Sequence, residues 1–212
     1  MRLRRWGPIA VIVAVGLASF VVSAQPADRR APDRFRVRLD TTRGVIVIAC
    51  TRAWAPLGVD RFYTLVTSGY YDDSPFFRVV RGKWAQFGIN GAPALAQAWR
   101  SRTIPDDPFV GQSNVKGTVA FAFATANGRT TQVFFNLADN SATHDKEPFV
   151  VFGRVVEGLD VMEALYDGYG ESALGGIRAG RQDPLFAQGN AYLRARFPRL
   201  DYIKTARVLG EP

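Results

Sequence analysis

What most limits the folds open to this chain is a series of short β-rich runs set close together, with few helical stretches between them. Phe35-Arg36-Val37-Arg38-Leu39 alternates apolar and basic residues with period two, Thr42-Arg43-Gly44 breaks the run, and Val45-Ile46-Val47-Ile48 follows. This pattern reads as two strands joined by a tight turn. Further β-rich pieces lie at 76–80, 84–87, 117–123, 132–137, 149–155 and 203–208. Pro56 suits a first helical turn, Val59, Phe62, Tyr63 and Val66 recur at three- and four-residue steps, and Gly69 can end that helix. A second helix is expected at 159–166. Many short strands with few helices predict a mainly β fold, a closed antiparallel barrel that leaves no open sheet edge.

Residues 1–24 stand apart. Arg2, Arg4 and Arg5 precede an uncharged apolar run from 9 to 22 that closes with Ser23-Ala24 before Gln25. That order of basic, apolar and small residues is a secretory signal, and the run is shorter than the roughly 20 apolar residues of a spanning helix. Cleavage after Ala24 is therefore expected, with an uncleaved anchor as the alternative; only the anchor would attach the protein to a membrane. The expected location is the periplasm or the medium. Cleavage removes three Arg, lowering the net charge from +8 to +5. The remaining basic residues are scattered rather than aligned in a stripe, so no nucleic-acid partner is expected. Residues 25–34 read as a flexible linker, and 35–212 as one domain with an insertion at about 167–199. Within the insertion, Asn190 is a candidate N-cap for a short extra helix over 191–196, stopped by Pro198 and expected to pack on the barrel. The lone Cys50 sits in an apolar run and reads as a buried thiol.

Several catalytic sets are excluded by residue type. One His and one Cys cannot build a Cys/His zinc site. His144 beside Asp145 is not accompanied by a Gly-x-Ser-x-Gly elbow and reads as a solvated histidine in a polar loop. No phosphate- or dinucleotide-binding glycine pattern occurs. An enzyme built on this chain is expected to work without a metal or any other cofactor.

The run Phe76-Phe77-Arg78-Val79-Val80-Arg81-Gly82-Lys83-Trp84-Ala85-Gln86-Phe87-Gly88 resembles the signature of the cyclophilin-type peptidyl-prolyl cis-trans isomerases. Gly117-Thr118-Val119-Ala120-Phe121-Ala122, Thr131-Gln132-Val133-Phe134-Phe135-Asn136-Leu137 and Val150-Val151-Phe152-Gly153 resemble further blocks of that family, in the family's order. The similarity runs from about 35 to 208. It implies an eight-stranded closed barrel capped by two α-helices, and an isomerase, expected as a monomer, acting on X-Pro bonds of exported proline-containing polypeptides. By the same resemblance Arg78, Gln86 and Phe134 are the catalytic residues. Phe77, Trp84, Phe121, Ala122, Phe123, Gln132, Thr143 and Phe149 contact the substrate. The alternatives are a non-catalytic chaperone that holds proline-containing segments in the same groove, and an envelope-associated structural protein. Phe77 stands where many members have His, Lys83 where Phe is frequent, and Phe149 where eukaryotic members often have His. The loop 142–145 lacks the Trp that some members present to cyclosporin, so weak drug binding is expected.

Overall fold

The computed structural model describes residues 27–170 and 181–210; the segment read as an export signal lies outside the described residues. Strand β1 (Arg34–Thr41) realises the period-two pattern, with Phe35, Val37 and Leu39 buried and the arginines between them exposed. The turn that follows works because Gly44 has φ 139°, and the Thr41 amide and hydroxyl both donate to its carbonyl at 2.9 and 2.7 Å. The chain returns as β2 (Val45–Thr51), antiparallel to β1 with Val37 opposite Ile48.

Helix α1 (Pro56–Thr67) drives Val59, Phe62, Leu65 and Val66 into the main core, each worth about 1.5–3 kcal/mol when fully buried. Ala55 precedes it and offers no cap. The free amides of Leu57 and Gly58 instead donate to the Asp107 carboxylate, both at 2.8 Å, from a loop fifty residues on. Asp107 is itself paired with Arg129 at 2.9 Å, each side chain 1% exposed.

The remaining elements are β3 (Ser74–Pro75), β4 (Arg78–Val80), β5 (Trp84–Phe87), α2 (Pro93–Arg100), β6 (Thr118–Phe121), β7 (Val133–Asn136), α3 (Ser141–His144), β8 (Val151–Glu157), α4 (Leu159–Glu163), α5 (Asp183–Arg196) and β9 (Tyr202–Leu209). The strands form one curled antiparallel sheet of nine in the order β3-β9-β1-β2-β8-β6-β7-β5-β4. This corrects the expected closed eight-stranded barrel to a half-barrel. The two edge strands, β3 and β4, are neighbours in sequence, joined only by Phe76 and Phe77. No ladder links them: Pro75 has no amide hydrogen, and the Phe76 amide donates across to Asp201 of the β9 side at 2.9 Å. The expected two helical caps correspond to α1 and α4, and three more α-helices and one 3-10 turn (Arg52–Trp54) are present among the described residues.

Of the expected linker, the part from residue 27 is an arm laid on α1. Asp28 pairs with Arg61 at 2.9 Å, the Ala31 amide donates to Asp60 at 2.9 Å, and Arg34 already belongs to β1. The insertion helix is longer than expected. Helix α5 begins at Asp183, well before the expected start at 191, and bends at Gly189, and Asn190 is not its N-cap. Its Nδ2 donates to the carbonyl and carboxylate of Asp73, both at 2.8 Å, and its amide donates to Gly91 at 2.9 Å. Leu185, Phe186 and Leu193 of α5, with Phe197 just after it, form a second core with Phe77, Ile89 and Ala96.

Candidate active site

A groove with a cavity volume of about 590 Å³ lies over β4, β5 and β7, bounded by α3 on one side and by α5 on the other. Strand register explains its floor. Arg78 is opposite Gln86 between β4 and β5, and Gln86 is opposite Phe134 between β5 and β7. Directly opposed residues share a face and sit about 4.5–5.5 Å apart, so these three line up across the sheet. Trp84 and Gln132, two positions from Gln86 and Phe134, fall on the same face, while Ala85 and Val133 between them enter the main core.

The Arg78 guanidinium donates to Gln86 Oε1 at 3.0 Å and lies 5.0 Å from the Trp84 ring centre. Gln86 Nε2 donates to Gln132 Oε1 at 2.8 Å, and Gln132 Nε2 donates to Gln182 Oε1 at 2.9 Å. Beside Trp84 an aromatic cluster closes one end: His144 is 5.6 Å from Trp84, 5.4 Å from Phe134 and 4.7 Å from Phe149, ring centre to ring centre. Phe123 stacks on Phe149 at 4.4 Å. At the other end Arg100 pairs with Asp183 and covers the Phe186 ring at 4.3 Å.

Of the residues expected at the site, Arg78, Gln86, Phe134, Trp84, Ala122, Phe123, Gln132 and Phe149 line the groove. Three do not. Phe77, next to Arg78 and therefore of opposite parity, is buried in the second core beneath α5. Phe121 is buried in the main core against Phe152 at 5.3 Å, because its neighbour Ala120, paired with Phe134, takes the groove-facing parity. Thr143 is exposed on α3, its hydroxyl donating back to Asn140 at 3.1 Å.

His144, expected to be solvated, is half-buried in the aromatic cluster instead. Its burial pushes its pKa below the ordinary 6.5, opposed by the nearby Asp145 carboxylate. Asp145 is anchored by the amide and side chain of Asn114, at 2.8 and 2.9 Å. Asn114 accepts from Asn136 at 3.0 Å, and Asn140 ties Asn136 to the Lys83 carbonyl at 2.7 and 2.8 Å. This amide network fixes α3 against β5 and β7 and so aims His144. Reading His144 from its polar neighbours alone hid this, and its closeness in sequence to Phe149 was the available signal. Gln182, Asp183 and Phe186 were also missed, since they belong to the insertion. Among the described residues no three His, Cys, Asp or Glu side chains gather as a metal site.

A sequence model of the cyclophilin type peptidyl-prolyl cis-trans isomerases matches residues 36–176. The chain is 35% identical over 139 residues to peptidyl-prolyl cis-trans isomerase cyp18 of Streptomyces antibioticus, covering 61% of this chain and 81% of that protein. It is 31% identical over 160 residues to peptidyl-prolyl cis-trans isomerase A of Dickeya dadantii, covering 74% and 81%. The fold resembles a Cryptosporidium parvum cyclophilin type isomerase, with TM-score 0.61 at 17% identity over 84% of this chain and 99% of that one. A half-barrel with a groove floored by arginine, amides and aromatic rings thus defines the class, and the matches name it. The chain belongs to the cyclophilin-type peptidyl-prolyl cis-trans isomerases, an enzyme family.

Proposed function

We propose that the groove binds X-Pro segments of exported polypeptides and that Arg78 accelerates rotation about the X-Pro bond. The barrier to peptide rotation is about 18–20 kcal/mol because the nitrogen lone pair is delocalised into the carbonyl. A group that hydrogen-bonds the nitrogen as it pyramidalises localises that pair and lowers the barrier. Guanidinium is permanently charged and can only donate. The single observation that carries the reading is that Gln86 Oε1 and the Trp84 ring hold the Arg78 guanidinium beside the aromatic cluster. With the proline ring among Trp84, Phe134, His144 and Phe149, its nitrogen faces Arg78. The buried Trp84 Nε1 and His144 Nδ1 have no hydrogen-bond partner among the described residues. Such groups cost about 1–3 kcal/mol unless a ligand or water satisfies them, which suits a site for a peptide carbonyl and amide.

An isomerisation assay on X-Pro peptides, by protease coupling or NMR exchange, tests the activity. A rate above the uncatalysed one is expected. Binding of those peptides with no rate effect would make the protein a proline-segment chaperone instead. Residues 1–24 further support delivery to the periplasm or the medium, with cleavage after Ala24. Mass spectrometry of the native protein checks this, and an intact N-terminus on a membrane-bound product would contradict it.

A further inference from the structure

Gln182 stands at the N-terminal boundary of α5, outside the segment that the family model matches. Its side chain makes no capping bond to the helix. It reaches across the groove and makes a reciprocal amide pair with Gln132, donating at 3.2 Å and accepting at 2.9 Å. The relay that begins there has only one consistent direction. Because Arg78 offers donors alone, Gln86 must present Oε1 to it and so turns Nε2 toward Gln132. Gln132 must then answer with Oε1, which leaves its Nε2 pointing at Gln182, and Gln182 supplies the acceptor. A flipped Gln132 would set its NH2 against that of Gln86, and a flipped Gln86 would set its NH2 against the guanidinium.

Helix α5 is mounted rigidly enough to hold such a contact. A methyl group on Gly189 would lie 2.0 Å from the Gly91 carbonyl oxygen, so two glycines let α5 close directly onto the segment before α2. Asn190 and Arg194 clamp Asp73 at 2.8 Å, and the second core lies beneath.

We propose that Gln182 is a positioning residue for the isomerisation: it locks the Gln132 and Gln86 amides in the orientation that holds the Arg78 guanidinium in the groove. The proposal rests on the role given to Arg78 above. Gln182→Leu keeps the bulk of the side chain but removes both the acceptor and the donor of the pair, and should lower kcat/KM on X-Pro peptides about fivefold, the net worth of one good hydrogen bond, chiefly through kcat. Gln182→Glu restores the acceptor but not the donor, and should recover part of the rate. In an Arg78→Ala background Gln182→Leu should cost nothing further, because the group it positions is gone. Melting temperatures and the side-chain amide NMR signals of Gln86 and Gln132 accompany the rates, and the Gln86 signals should move further in Gln182→Leu than in Gln182→Glu. An active wild type with unchanged kcat/KM in Gln182→Leu would overturn the relay alone. An equal fractional loss in the Arg78→Ala background would reduce Gln182 to a structural contact and overturn it too. An inactive wild type would instead overturn the isomerase reading and this role with it.

Discussion

In the proposed mechanism Arg78 and His144 divide the labour at the scale of single residues, one supplying charge to the rotating bond and the other a wall to the ring. Arg78→Lys should recover little of what Arg78→Ala loses, because an ammonium keeps the charge but not the planar fork that spans Gln86 and the substrate. Burial lowers the His144 pKa below 6.5, so the folded protein holds fewer protons at this site than the unfolded chain does. Its contribution to stability is therefore whole above 6.5 and is lost as pH falls through the folded value. Catalysis should follow the same sense, since a charged imidazole among Trp84, Phe134 and Phe149 disfavours the apolar ring. The charged groups near it are Asp145 on its own segment and Lys83 and Arg78 around Trp84. We expect kcat/KM to be level above neutrality and to fall at pH below 6.5, and expect His144→Phe to flatten that fall. An identical pH profile in His144→Phe would contradict the assignment.

At the scale of elements, parity decided which sequence expectations held. The resemblance put Arg78, Trp84, Gln86, Gln132 and Phe134 in one groove, and the register of β4, β5 and β7 brings them to one face. Phe121 and Phe77 were misplaced by one position each, because in a short strand apolar on both faces nothing in the sequence marks which face is the core. The start of α1 was legible from Pro56, but its cap was not: Asp107 is fifty residues away, and only the fold brings it to the Leu57 and Gly58 amides. Asp107→Ala should therefore destabilise the protein by about 2–3 kcal/mol, since it removes the cap and one of the two carboxylates paired with the buried Arg129, Asp106 remaining at 3.3 Å. Urea unfolding measures this, and a loss below about 1 kcal/mol would show that the Asp107 pair carries no such load.

For the whole molecule, the mainly β architecture and the groove were readable from strand spacing and the family-like blocks, whereas its limits were not. The half-barrel stays open between its edge strands β3 and β4, and the wall from α2 and α5 is built by residues with no counterpart in those blocks. Gly189 joins that wall to the sheet with φ 55° and no room for a side chain. Gly189→Ala should thus cost about 1–3 kcal/mol and lower the melting temperature, and an unchanged melting temperature would place the wall elsewhere. The proposed aiming of one guanidinium at a twisted X-Pro bond stands or falls on kcat/KM of wild type and Arg78→Ala, both verified as folded by circular dichroism. Losing about 2–4 kcal/mol of transition-state stabilisation predicts a fall of roughly 30- to 1000-fold with peptide affinity little changed. A folded Arg78→Ala protein with wild-type kcat/KM would contradict it.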